Sequence, residues 1–213
     1  GTERPHDAYL EPAGTLSLPG CFAMTEWAHG SNVRELETTA RYDPTTEEFV
    51  INTPHDGARK EWIGNAAAHG RLATVFARLH TNGEEHGVHA FVVPIRTEDG
   101  TPRPGVRIED CGEKVGLNGV DNGRLWFDRV RIPRDHLLDR YATVAPNGAY
   151  DSPIPSPGKR FFTMLSTLVG GRISVARAGL SAAKSGLTIA VRYGNRRRQF
   201  GPKDAPEGPL LDY

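Results

Sequence analysis

The four residues His29-Gly30-Ser31-Asn32 make a small polar turn directly after the more apolar run Cys21-Phe22-Ala23-Met24-Thr25-Glu26. A glycine beside a serine lets backbone amides reach a ligand with no side chain in the way, and the chemistry this suits is capture of a phosphate or pyrophosphate. The same pattern is also an ordinary way to turn a chain between two strands, so its meaning depends on its company. Other reactive residue types carry less. His80, His86 and His89 lie close in sequence, but the Asn82-Gly83 turn and strand alternation scatter them over two faces, which reads as surface histidines rather than a metal site. Ser181-Ala182-Ala183-Lys184 has Ser-x-x-Lys spacing without the Ser-Asp-Asn or Lys-Thr-Gly that accompany it in penicillin-binding enzymes, and its small residues fit helix packing. Arg196-Arg197-Arg198 falls at a helix C-terminus, where the macrodipole favours cations. No Gly-x-Gly-x-x-Gly supports a Rossmann-type site. Trp27, Trp62 and Trp126, taken singly, read as core or rim residues.

The elements that must hold this turn change character along the chain. Residues 1–20 carry Pro5, Pro12, Gly14, Pro19 and Gly20 and read as a polar lead-in without a core of its own. From 21 to 132 the punctuation is regular. Strand patterns fall at 36–42, 47–52, 72–79, 87–95, 106–110 and 124–132, separated by turn residues such as Asp43-Pro44-Thr45-Thr46, Asn82-Gly83, Asp99-Gly100 and Asn118-Gly119. About seven short strands so spaced predict a β-barrel or sandwich. Residues 133–138 read as one helical turn, and a Pro- and Gly-rich linker follows. The period then becomes helical: Phe161, Phe162, Leu165, Leu168, Ile173, Leu180, Leu187 and Val191 fit one long helix over 159–196. A long apolar stripe must be covered, and no second long helix is present to do so, which predicts a helical bundle continuing beyond Tyr213.

Composition excludes more than it selects. Lysine plus arginine equals aspartate plus glutamate at 26 each, so no overall field favours nucleic acid or an anionic membrane. Two cysteines, Cys21 and Cys111, make no disulfide framework and point to a reducing compartment. No apolar run approaches the roughly 20 residues that span a bilayer.

Taken together, the motifs resemble those of the acyl-CoA dehydrogenase and oxidase superfamily, the oxidase branch most closely. Residues 23–32 look like the flavin-binding signature that opens the family's middle β-barrel, and Lys60-Glu61-Trp62-Ile63-Gly64-Asn65 resembles its second flavin segment. Residues 121–134 are similar to the last strand of that barrel and its exit. Tyr193 and Arg197-Arg198-Gln199-Phe200-Gly201 resemble the end of the first C-terminal bundle helix. The runs 30–40 and 88–96 point to oxidases in particular.

The resemblance implies a mainly β fold with α: an acyl-CoA dehydrogenase-type middle β-barrel followed by one long helix of a truncated helical bundle. Its divisions would be a lead-in at 1–20, the flavin- and acyl-CoA-binding barrel at 21–145, a linker at 146–158, the bundle helix at 159–201 and a tail at 202–213. It also implies FAD. Met24 and Thr25 would meet the flavin ring, Gly30 and Ser31 the pyrophosphate or the thioester region, Trp62 the dimethylbenzene side and Gly64 the vicinity of N5. Arg197, Gln199 and Phe200 would reach the FAD of a partner protomer, and Arg172 the mouth of the substrate site. Dehydrogenases commonly carry Thr or Ser where Gly64 stands, and loss of that hydroxyl leaves room for dioxygen.

The implied activity is a flavin-dependent acyl-CoA oxidase converting fatty acyl-CoA to trans-2-enoyl-CoA with reduction of O2 to H2O2 in β-oxidation. The alternatives are a dehydrogenase passing electrons to an electron-transfer flavoprotein, or a non-catalytic β-barrel binding module. The family's glutamate base has no counterpart in this chain and is expected beyond Tyr213; Glu26 belongs to the binding signature. The remaining expectations are a homo-oligomer, no metal, no nucleic acid, no membrane insertion, and a location that is cytoplasmic in a bacterium or peroxisomal in a eukaryote.

Overall fold

Along 48–52, Phe49 and Ile51 are fully buried while Glu48, Val50 and Asn52 are only half-buried, the period of two that a strand imposes when one face meets a core. The computed structural model describes residues 2–212, and the chain separates into two compact units, Gly1–Thr163 and Met164–Tyr213.

The first unit is built on two sheets. β1 (Gly20–Ala23), β2 (Thr39–Asp43), β3 (Glu48–Asn52), β5 (Leu72–Thr81), β6 (Glu84–Pro94) and β9 (Val130–Pro133) form the larger, while β4 (Lys60–Gly64), β7 (Val106–Asp110) and β8 (Asn122–Phe127) form the smaller, in the order β4-β8-β7. β5 organises the larger sheet. It pairs in parallel with β1 near its start (Gly20↔Leu72) and with β2 near its end (Thr39↔Arg78), and antiparallel with β6 along its length. Side chains from both sheets share one core: Phe49, Phe91, Val93 and Leu79 from the larger meet Ile63, Leu125 and Phe127 from the smaller. Phe49 lies between Tyr42 and Phe91, with ring centroids 5.1 and 5.0 Å away, spacings at which tilted aromatic rings attract. This is the barrel-like β architecture the strand spacing predicted.

Several local expectations differ. The polar lead-in is a helix, α1 (Glu3–Gly14), held by contacts distant in sequence: the Thr2 hydroxyl donates to Asp139, Arg4 pairs with Asp135, and Tyr9 meets His136. No local pattern could announce those partners. The strand expected from residue 36 begins at Thr39, because Val33–Glu35 form a 3-10 turn and Leu36 turns into the core. Arg134–His136 is likewise a 3-10 turn. The stretch read as a linker forms a short hairpin, β10 (Thr143–Val144) with β11 (Tyr150–Asp151). Its turn is tied to the barrel where Thr81 Oγ1 donates to the Gly148 carbonyl at 2.7 Å and the Tyr42 hydroxyl to that of Pro146 at 3.1 Å. The single long helix is interrupted: α2 (Pro157–Leu165) and α3 (Val169–Arg196) are separated by a 3-10 turn over Ser166–Leu168. There the Thr167 hydroxyl donates to the Met164 carbonyl, the local competition by which Ser and Thr perturb helices.

In the second unit α3 keeps an exposed apolar stripe that includes Ile173, Leu180 and Leu187. The tail folds back on the helix end. Arg198 bridges Pro209, the Leu210 amide donates to the Arg197 carbonyl at 2.7 Å, and Leu211 lies against the buried Gly194.

Glycine at 123 is a packing requirement, since a Cβ there would sit 2.5 Å from the Ala67 nitrogen, between β8 and the loop after β4. Gly123→Ala is expected to destabilise the first unit by roughly 1–3 kcal/mol, the usual range for forced overpacking, measured by denaturant unfolding.

Candidate functional site

The segment leaving β1 and the start of β4 run antiparallel, with Glu26 opposite Lys60; the Trp27 amide donates to the Arg59 carbonyl and the Glu61 amide to the Thr25 carbonyl, each at 3.0 Å. The two facing side chains are wholly buried and paired, Lys60 Nζ to Glu26 Oε1 at 3.0 Å. Lys60 also donates to the carbonyls of Met24 (3.1 Å) and Phe76 (2.7 Å). Glu26 in turn accepts from the Thr38 hydroxyl at 2.6 Å and from the amides of Thr38 (2.9 Å) and Glu37 (2.7 Å). One ion pair thus ties the segment after β1, β4, β5 and the approach to β2. Burial pulls the Lys60 ammonium down to about 8, and the attraction of Glu26 opposes the fall. Their burial as a pair was not legible in the sequence, where Glu26 reads as part of the first motif and Lys60 as part of the second. Glu26 is a structural carboxylate.

Above this pair lies the turn. Met24 is buried and Thr25 half-exposed, and the Thr25 hydroxyl has no hydrogen-bond partner among the described residues. Gly30, Ser31 and Asn32 are exposed, and none of their amides donates to another described group, so three consecutive N–H groups face solvent. Unpaired consecutive amides are the groups an anion uses at such turns. Glu37 braces the turn, reached by His29 Nε2 at 3.2 Å and by His55 Nε2 at 3.3 Å. Burial pushes the Glu37 carboxyl up, but the two histidine hydrogen bonds outweigh it and leave it below its ordinary value. Ligand atoms of Glu26, His29 and Glu37 lie within 4.8 Å of one another. Glu26, however, is already engaged by Lys60, Thr38 and the Glu37 amide, so the group reads as a clamp on the turn.

β4 carries the second candidate segment. A bulge falls between Lys60 and Ile63, and Trp62 within it has φ +60°, a conformation uncommon for a large side chain; Trp62 is 51% exposed while Ile63 turns into the core. On the barrel side of Trp62, the buried Glu61 carboxylate is gripped by Arg59 Nε (2.8 Å) and Arg124 Nε (2.9 Å). Gly64 ends the strand, exposed. Its φ is not positive, and a Cβ there would meet no atom within 4 Å. Among the described residues, neither backbone nor packing requires glycine at this position. The following loop, 65–70, is fixed from two sides. Arg96 donates to the carbonyls of Ala66, Ala67 and Gly70 at 2.7–2.9 Å, and the Asp121 carboxylate accepts from the amides of Ala67, Ala68 and His69. Neither Arg96 nor Asp121 stood out in the sequence as a site support.

His89 is a correction to the surface reading. It is 2% exposed, its Nδ1 donates to the Gly87 carbonyl at 2.9 Å and its Nε2 accepts from the Tyr150 hydroxyl at 3.0 Å, and burial pulls it down to about 4. His86 stacks on Tyr150 with ring centroids 3.9 Å apart. In the second unit, Arg172 is exposed on α3; Arg197 follows the helix, its amide on the Tyr193 carbonyl, and the Gln199 amide and Phe200 carbonyl pair with Gly208 in the returning loop. The structure brings Met24, Thr25, Gly30, Ser31, Trp62 and Gly64 onto neighbouring segments of one unit, while Arg172, Arg197, Gln199 and Phe200 belong to the other.

The barrel and its paired segments are those of a known family: the chain belongs to the acyl-CoA dehydrogenases, whose middle domain it matches over residues 21–130. Within that family the likeness runs to the oxidases, since residues 165–213 match the C-alpha1 domain of acyl-CoA oxidase. The chain is 51% identical over 214 residues to peroxisomal acyl-coenzyme A oxidase 3 of Arabidopsis thaliana, covering 100% of this chain and 32% of that protein. Among solved structures it resembles Arabidopsis thaliana acyl-CoA oxidase 1 (TM-score 0.84, 41% identity, 100% of this chain and 32% of that one). It also resembles acyl-CoA oxidase-2 of Caenorhabditis elegans, solved with FAD, ascaroside-CoA and ATP (TM-score 0.80, 37% identity, 100% and 32%). The chain therefore spans about a third of the length of these relatives.

Lys60→Met leaves the Glu26 carboxylate buried without its cation, and the expected loss is about 3–5 kcal/mol in denaturant unfolding. Adding Glu26→Gln is expected to recover part of that loss; a double variant as unstable as the sum of the two single ones would contradict the pairing.

Proposed function

We propose that this chain is the flavin-binding core of an acyl-CoA oxidase, an enzyme that takes fatty acyl-CoA to trans-2-enoyl-CoA and reduces O2 to H2O2 in fatty acid β-oxidation, peroxisomal in a eukaryote. The observation that carries the oxidase reading is Gly64, an exposed strand end where nothing in the fold demands glycine. The surroundings fit FAD. The open Thr25 hydroxyl suits the polar edge of a flavin, the three solvent-facing amides of Gly30–Ser31–Asn32 suit its diphosphate, and the exposed indole of Trp62 suits its apolar edge.

When bound, the flavin supplies hydride acceptance from the acyl C3 and electron delivery to dioxygen. The residues of this chain hold and shape. Lys60 and Glu26 fix the separation between the Thr25 and Trp62 segments, Arg96 and Asp121 hold the loop beyond Gly64 still, and the missing side chain at Gly64 leaves the adjoining space open to a small molecule. Arg197, Gln199 and Phe200 would contact the FAD of a second protomer, which makes the working form a homodimer or larger, and Arg172 would face substrate. No carboxylate among these site residues is assigned as the base that removes the C2 proton, because Glu26 and Glu61 are both held in ion pairs.

Incubation with FAD followed by desalting is expected to leave yellow protein with a flavin absorption band, and loss of colour from the full-length protein under these conditions would contradict the proposal. Gly64→Thr is expected to fold with an unchanged unfolding midpoint and to slow reoxidation by dioxygen at least tenfold more than reduction by acyl-CoA, read by stopped-flow absorbance. Equal slowing of both half-reactions would remove Gly64 from the oxygen path.

A further inference from the structure

Four side chains beside the anion turn alternate between cation and aromatic ring. The Arg107 guanidinium lies 3.7 Å from the Trp126 ring centroid, Arg59 lies 5.8 Å from the same ring, and Arg59 lies 4.5 Å from the ring of Trp27. Asp56 locks the middle of the row, accepting from Trp126 Nε1 at 2.9 Å and from Arg59. At such separations each guanidinium is attracted to the electron-rich face of its indole, so the row is stiff. Its last member is unusual for a structural tryptophan. Trp27 has Arg59 against its ring yet remains 58% exposed. It sits at a corner of the turn closed by the His29 amide on the Glu26 carbonyl at 3.1 Å, shortly before Gly30, Ser31 and Asn32, whose amides have no partner among the described residues. Arg34, 64% exposed in its side chain, follows them with its charge shared with the Glu35 carboxylate 3.9 Å away.

An exposed, braced indole followed in the chain by three unpaired amides is complementary to one ligand chemistry, a planar base joined to phosphate. We propose that Trp27, backed by Arg59, is the stacking platform for the purine ring of an adenine nucleotide whose phosphates rest on the Gly30–Asn32 turn. The two adenylates within reach of the proposed function are that of FAD and that of the CoA thioester. The proposed function seats the FAD diphosphate on this turn, which makes FAD the expected source; an adenylate that proves to be that of CoA would put the CoA diphosphate on the turn in its place, and the platform itself rests on neither. Trp27 belongs to neither the flavin-ring contacts nor the chemistry, and its role is affinity for the nucleotide end of a ligand. Arg59 serves it indirectly, by holding the indole in place.

Calorimetric titration of the protein with ADP tests the platform without reliance on tryptophan emission. Wild type is expected to bind ADP saturably, Trp27→Ala about tenfold more weakly, in line with loss of one base–aromatic stack, and Trp27→Phe with most of the affinity kept. Paired ligands then identify the source. If Trp27→Ala weakens FAD but not FMN, the adenylate is the flavin's; if it weakens acyl-CoA but not the acyl-pantetheine, the adenylate is that of CoA. Absence of ADP binding to wild type, equal ADP affinity in wild type and Trp27→Ala, or equal losses for the ligands with and without adenine would overturn the proposal. ADP binding that depends on Trp27 in a protein that takes up neither FMN nor FAD would uphold the platform and reject the flavin reading instead.

Discussion

A lysine ammonium with no access to water is stable only if every one of its protons is engaged, and the course of the chain around Lys60 follows from that constraint. Its three donors reach one carboxylate and two carbonyls, and these belong to two separate stretches: the run after β1, which supplies the Met24 carbonyl and the Glu26 carboxylate, and the middle of β5. The carboxylate has the complementary need, and satisfies it with the backbone and hydroxyl at the approach to β2. Replacing such a pair with apolar side chains can leave a protein equally stable, so its value here lies in register. It fixes which residue of the first motif lies opposite which residue of the second, and so places Thr25 beside the bulge that turns Trp62 outward.

The sequence announced several strands well and the joints poorly: the run 124–132, read as one strand, is β8 and β9 in different sheets, and β4 was not among the strands read. Alternation at Phe49 and Ile51, and turn residues at Asn82-Gly83 and Asp99-Gly100, are local signals, and the structure keeps them. α1 was invisible because what holds it lies near residues 135–139. The break at Ser166–Leu168 was lost in a helical period that runs through it. The candidate site divides the same way. Motif residues such as Gly30, Ser31, Trp62 and Gly64 could be picked out by resemblance, whereas Lys60, Arg96 and Asp121 act through distant backbone groups that no spacing rule connects. His89 was misread for a related reason: its hydroxyl partner is Tyr150, 61 positions away.

The site combines stiff supports with open contact surfaces. Arg96 and Asp121 immobilise the loop beyond β4 by opposite means, a cation on carbonyls and an anion on amides, so neither half of the peptide dipoles is left unopposed. The cation–aromatic row does the same for the turn after Glu26. Against these fixed parts stand the groups left facing outward: the Thr25 hydroxyl, the amides of the Gly30 turn, the indoles of Trp27 and Trp62. Such a surface is organised before a ligand arrives, which lowers the entropy that binding must overcome.

Gly64 has a further meaning for descent with modification. Most glycines that a fold depends on, Gly123 among them, are closed to variation because any side chain there strikes a neighbour. At residue 64 that barrier is lifted among the described residues: φ is not positive and a Cβ there would meet no atom within 4 Å. A lineage can therefore sample side chains at this position without first acquiring compensating changes elsewhere. If residue 64 stands beside the flavin as proposed, selection there acts on what the side chain does to neighbouring chemistry, and a change of electron acceptor needs no more than one substitution at a position where the described fold tolerates a side chain.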